Sequence, residues 1–172
     1  MTQYSKRIAI VHWLTVLLLI AAYALGMTLD ETHDAAAKLP LFPPHMLLGD
    51  AILVLTAVRL YFRMKDGKPA PLAAPNLMDK IATGTHHLIY LLLIAMPLSG
   101  IATAATSGLV EALSTHDASK VPDFEKVELL EVHEAIGELL LVVLVLHVAA
   151  ALYHQFVVKD GLMERISLRR KD

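Results

Sequence analysis

The chain has 172 residues, 56% of them hydrophobic, with 15 lysines and arginines against 17 acids and a formal net charge of −2. A mean hydropathy of +0.55 is too apolar for an ordinary soluble domain of this length. No cysteine is present, which excludes disulfides, thiolate metal sites and thiolate-held iron–sulfur clusters.

Four apolar windows follow one another, each long enough to cross a bilayer. The first, Ile8–Leu29, carries no charge. With Lys6-Arg7 before it and Ala22-Tyr23-Ala24 within it, the stretch imitates a secretory signal. It is about twice the length of a typical signal core and contains His12, so it reads as a span. The second window, Leu39–Val58, holds one charge, Asp50, whose role the pattern leaves open. The third, Ile81–Val110, is uncharged, and Pro97 within it is expected to kink the helix. The fourth, Leu139–Val158, is also uncharged. Runs such as LLLVVLVL lack the 3.6-residue alternation of a soluble bundle.

The expected fold is therefore all-α, a four-helix transmembrane bundle forming one domain over 1–172. Its helices are placed near 8–29, 44–64, 80–106 and 129–158. The outer loops are 30–43 and 107–128, and a Pro-rich inner linker covers 65–79. No phosphate-binding glycine loop, zinc-protease motif, GxSxG or internal repeat is visible, and nothing suggests a nucleic-acid partner.

Charge sets the orientation. Twelve lysines and arginines fall on the side shared by the termini and the linker, and only Lys38, Lys120 and Lys126 fall on the other. By the positive-inside rule both termini face the cytoplasm, as in a multi-pass protein of the bacterial inner membrane. The outer segments are acidic. Residues 30–38 sum to −2 and residues 111–131 to −4.

Histidines are costly at membrane depth and mark a site by default. In HEAIGELLLVVLVLHVAAALYH, the helical angle separating His133 from His147 is only about 40°, and that separating His147 from His154 about 20°. All three share one stripe. His133 and His147 lie roughly 21 Å apart along the axis, most of a hydrocarbon core of about 30 Å. At the outer end stand His45 and His133; at the inner end stand His12, His86, His87, His147 and His154. His33 and His116 fall in outer loops and read as solvated.

Two imidazoles from facing helices, with no further ligand, suit a low-spin haem better than zinc, which takes three or four ligands. Gly49 follows His45 by four residues and Gly137 follows His133 by four, so each lies one turn along the ligand's face. A macrocycle could rest on the backbone there. Small residues also serve ordinary helix contacts in membranes.

The segments YSKRIAIVHWL, HMLLGDAILVLTAVRLYFR, HHLIYLLLIAMPLSG and HEAIGELLLVVLVLHVAAALYHQFVVKDG together resemble the small, stand-alone bacterial cytochrome b561 proteins. The resemblance spans nearly the whole chain. The paired histidines of the fourth span also resemble those in the cytochrome b subunits of formate dehydrogenases and nickel–iron hydrogenases. The resemblance implies two stacked b haems, one held by His45 and His133 and one by His12 and His147. His86, His87 and His154 then become candidates for a quinone pocket or for haem propionates. Arg59 and Lys80 could neutralise propionates.

It further implies single-electron transfer between the periplasmic face and membrane quinone. The leading expectation is a superoxide oxidase that reduces ubiquinone. The alternative is a non-enzymatic carrier docking a periplasmic or membrane redox protein. A haem-free channel or transporter would have to use the same histidines as proton relays. Superoxide is an anion, and the acidic outer surface has the wrong sign to steer it. The expectation is that Lys38, Lys120 and Lys126 gather over the outer site as a local guide.

Overall fold

The apolar runs become four long helices in the computed structural model, which describes residues 3–67, 69 and 77–169. They are α1 (Lys6–Glu31), α3 (Phe42–Asp66), α4 (Leu77–Ser107) and α6 (Glu128–Tyr153). Short helices α2 (Ala35–Lys38) and α5 (Leu109–Thr115) lie in the connections at one end. No strand occurs among the described residues. Lys68, Arg170, Lys171 and most of the Pro-rich linker lie outside them.

All four long segments are long and apolar enough to cross a membrane, and the protein is a four-helix membrane bundle. A helix of 26 residues, such as α1, is about 39 Å long, more than the hydrocarbon core requires. Its exterior confirms the solvent it is built for. Leu17, Ile20, Val54, Leu91, Val145 and Leu146 point outward and are each more than half exposed. Such a surface would aggregate in water and is satisfied by lipid tails.

Local signals account for the helix ends. Pro43 and Pro44 occupy the first turn of α3, where a backbone N–H has no intrahelical partner to lose. Gly67, at φ 76°, stops α3 in the left-handed region that glycine enters without steric cost. Beyond Tyr153 the α6 helix widens into a π-helical turn, His154–Val158, closed by Lys159 at φ 57°. Across Pro97 α4 runs on unbroken. Hydroxyls on either side of its outer half bond back to the backbone: Ser99 to the Met96 carbonyl and Thr103 to that of Ser99.

Helix α1 packs chiefly on α3, α3 on α4, and α4 on α6. Ile52, Ile89, Leu92, Leu93, Leu140 and Val143 form the core between α3, α4 and α6. A second cluster, Leu29, Phe42, Ala104 and Leu109, closes the end carrying α2 and α5. We call this the acidic end and the opposite one, which holds both termini, the basic end. At the basic end Arg7 pairs with Asp66, which also accepts from Ser5 Oγ at 2.5 Å. The C-terminal segment docks on the start of α1: Tyr4 N–H donates to the Arg165 carbonyl at 2.9 Å and Trp13 Nε1 to the Ile166 carbonyl at 3.1 Å.

Candidate functional site

At the acidic end, the first turn of α3 carries His45 and the second turn of α6 carries His133. Glu128 and Glu131 in the first turn of α6 suit the positive end of its dipole and help start the helix there. The two rings lie with centres 6.3 Å apart and planes at 78°, an edge-on arrangement. Imidazoles bonded at about 2.0 Å on opposite sides of one metal ion have ring centres roughly 6 Å apart. The spacing of the pair is compatible with two imidazoles holding one metal ion.

Each ring lies against a glycine of a neighbouring helix. A Cβ on Gly26 of α1 would sit 3.3 Å from His45 Cε1, and one on Gly100 of α4 would sit 3.0 Å from His133 Cε1. Neither glycine stands out in the sequence, because the closeness is between helices rather than along one. Of the two glycines singled out by spacing, Gly137 is buried and faces Met96, whereas Gly49 meets no protein atom within 4 Å.

The Nδ1 edges of both rings are turned to backbone or hydroxyl groups. His133 Nδ1 lies 2.9 Å from Ser99 Oγ. His45 Nδ1 is buried without a hydrogen bond, and the Ala22 carbonyl lies near the ring. This leaves Nε2 as the nitrogen available to a ligand.

A second cluster lies towards the basic end. His12 of α1, His86 of α4, His147 of α6 and Arg59 of α3 are within electrostatic reach of one another. The His86 and His147 rings stand 5.3 Å apart at 79°, and His86 Nδ1 donates to the Ala82 carbonyl at 2.7 Å. The Nδ1 of His12 is buried without a hydrogen bond, as is Nε of Arg59. The Arg59 guanidinium lies over the Tyr90 ring at 5.5 Å and that of Arg63 over the same ring at 5.7 Å, a cation–π arrangement. A carboxylate or other anion would find the unbonded Nε–H of Arg59 here.

His154 is not part of this cluster. Its Nδ1 bonds to Asp160 Oδ2 at 2.6 Å, held by the π-helical turn. His87 and Lys80 are exposed on α4, and Asp50 is exposed on α3.

The three lysines of the acidic end are already engaged. Lys120 bonds to Glu111 at 2.7 Å and Lys126 to Asp123 at 2.6 Å. Those hydrogen bonds raise both ammonium pKa values above the usual lysine value. Lys38 lies 5.6 Å from the centre of the Phe124 ring, which in turn packs on Phe42 three residues before His45. Lys38 thus borders that aromatic pair, and it also lies near Glu134, next to His133.

Among the described residues no three His, Asp or Glu side chains converge as a cation cage would require. Pairs of imidazoles inside an apolar bundle would suit a haem instead. The sequence matches the model of the prokaryotic cytochrome b561 family over residues 3–167. The chain belongs to that family. As a member of the prokaryotic cytochrome b561 family it is a membrane electron-transfer protein that binds haem b.

Full-length relatives agree. The chain is 31% identical to cytochrome b562 of Cereibacter sphaeroides, over 96% of this chain and 98% of the relative. It is 28% identical to cytochrome b561 homolog 1 of Escherichia coli, over 99% and 100%. Against the probable superoxide oxidase CybB of Yersinia pestis the identity is 29%, over 94% and 93%.

Proposed function

We propose that this cytochrome b561 carries two b haems and moves single electrons between superoxide at the periplasmic face and ubiquinone in the membrane. His45 and His133 would hold the outer haem, and His12 and His147 the inner one. The observation that carries the reading is the 6.3 Å, near-perpendicular pairing of His45 and His133. At the basic end His12 and His147 lie within electrostatic reach of each other, and the ring standing against His147 is that of His86, 5.3 Å away.

Haem b, when bound, supplies reversible one-electron chemistry at iron. The chain's own groups do the rest. Gly26 and Gly100 admit the rings, and the apolar core excludes water from them. Arg59 offers its buried, unbonded Nε–H to a propionate or to a quinone oxygen. In the overall reaction two superoxide anions each lose one electron and leave as dioxygen. Ubiquinone gains both electrons and two protons and becomes ubiquinol. The protons come from the basic end, which the distribution of lysine and arginine assigns to the cytoplasm. There the hydrogen-bonded pair of His154 and Asp160 is suited to pass protons, and His86, His87 and Lys80 complete the polar groups near a quinone.

The superoxide assignment draws on likeness to the probable superoxide oxidase of Yersinia pestis. A second reading, a carrier for a cationic redox protein, is favoured by one observation. Asp30, Glu131, Glu134 and Glu138 lie close together at the acidic end. A visible spectrum with a haem count tests the cofactors, and stopped-flow mixing with superoxide tests the substrate. Two b haems per chain and direct reduction are expected. One haem, or reduction no faster than in a variant without the outer ligands, overturns the respective half of the proposal.

A further inference from the structure

We infer that Ser99 is a positioning residue for His133, fixing its tautomer so that Nε2 is the ligating nitrogen and tuning the potential of the outer haem. The inference rests on the reading of His133 as an axial ligand and goes one residue beyond it. The Ser99 hydroxyl has a single proton, and at 2.8 Å it donates that proton to the Met96 carbonyl. Towards His133 Nδ1, 2.9 Å away, Oγ can then only accept. The proton between them belongs to the imidazole. A neutral imidazole protonated at Nδ1 holds its lone pair at Nε2.

The neighbouring residue completes the arrangement. Gly100 brings the backbone of α4 so close that a Cβ there would lie 3.0 Å from His133 Cε1 and 3.3 Å from Nδ1. Ser99 and Gly100 together set both the proton and the plane of the ring. Among the described residues no side-chain hydroxyl serves His45 in this way; its buried Nδ1 has only the Ala22 carbonyl nearby. The outer ligand pair is therefore asymmetric.

Hydrogen bonding from a ligand imidazole to an acceptor makes its other nitrogen a stronger donor, which favours the oxidised metal. A hydroxyl that merely bonded back to its own helix, as many serines in membrane helices do, would leave the potential untouched. The two roles are thus separable.

The test is a redox titration of the holoprotein followed at the haem absorption bands, with low-spin ferric resonance as a second signature. Ser99→Ala should retain both haems and shift one midpoint potential upward, leaving the other in place. Ser99→Thr, which keeps the hydroxyl, should titrate like the original. Should Ser99→Ala fail to assemble, Ser99→Cys carries the same test, its weaker acceptor giving a smaller upward shift. Unchanged potentials and resonance in the assembled Ala or Cys variant would overturn the role of Ser99. His133→Ala distinguishes the levels: if it loses one haem while Ser99→Ala shifts nothing, the ligand assignment stands and only this inference falls.

Discussion

Across the acidic end of the bundle, the imidazole of His45 stands nearly perpendicular to that of His133, with ring centres 6.3 Å apart. Among the described residues neither ring has an acid or a third imidazole to share a cation with. If they are the two axial ligands of one haem, His45→Ala or His133→Ala should halve the haem content and spare the second haem. Pyridine haemochrome quantitation reads this directly. Full haem content in either variant would remove the pair as ligands.

The basic end makes the complementary prediction. His147 lies within reach of His12 and His86, whereas His154 is bonded to Asp160 at 2.6 Å. His147→Ala is expected to lose one haem. His154→Ala is expected to keep both and to slow quinone reduction by roughly tenfold or more, as for a lost proton-transfer group. Loss of haem from His154→Ala, with retention in His147→Ala, would exchange the two roles.

The glycines allow a steric test. Overpacking a close site costs about 1–3 kcal/mol, and a Cβ on Gly100 would press on His133 at 3.0 Å. Gly100→Ala should therefore lower outer-haem occupancy or alter its spectrum. Gly84, exposed on α4 with no neighbour within 4 Å, is the control, and its alanine variant should be silent. Gly49 also meets no protein atom within 4 Å. Haem loss in Gly49→Val would thus report contact with the macrocycle itself, and full occupancy would show that the porphyrin lies elsewhere.

Much of this was legible in the sequence, for identifiable reasons. In lipid every backbone group must be satisfied within its own helix, so uncharged runs of twenty residues or more declare themselves as spans. Helical periodicity likewise places His133 and His147 on one stripe of α6. What stayed hidden depends on contacts between helices. Gly26 touches a histidine on α3, and Ser99 and Gly100 touch one on α6. No spacing within one segment encodes such neighbours. His86 was legible as an inner histidine, but its position against the His147 ring required the packing of α4 on α6. The lysines divide in the same way. Lys126 pairs with Asp123 three residues away, a local contact, whereas Lys120 reaches back nine residues to Glu111.

Those ion pairs reverse the expected effect of salt on superoxide oxidation. Read from the sequence alone, Lys38, Lys120 and Lys126 could form a positive guide over the outer site, and the rate would then fall as salt screens it. In the structure Lys120 and Lys126 are each hydrogen-bonded to an acid, and their raised pKa values keep them charged and paired at neutral pH. Meanwhile Asp30, Glu131, Glu134 and Glu138 cluster near one another beside Lys38. An approaching anion meets a net negative surface. The Debye length shrinks from about 30 Å at 0.01 M to about 10 Å at 0.1 M ionic strength, so added salt should weaken the repulsion. The second-order rate of haem reduction by superoxide is expected to rise about two- to fivefold over that range, a modest effect on the scale of electrostatic steering. Lys38→Ala, removing the lysine beside that acidic cluster, should lower the rate at low salt and steepen its rise. Stopped-flow mixing across the salt series measures both. A rate that falls with salt would restore the lysine guide. A rate at every salt equal to that of His133→Ala would defeat superoxide oxidation and leave the carrier of a cationic partner.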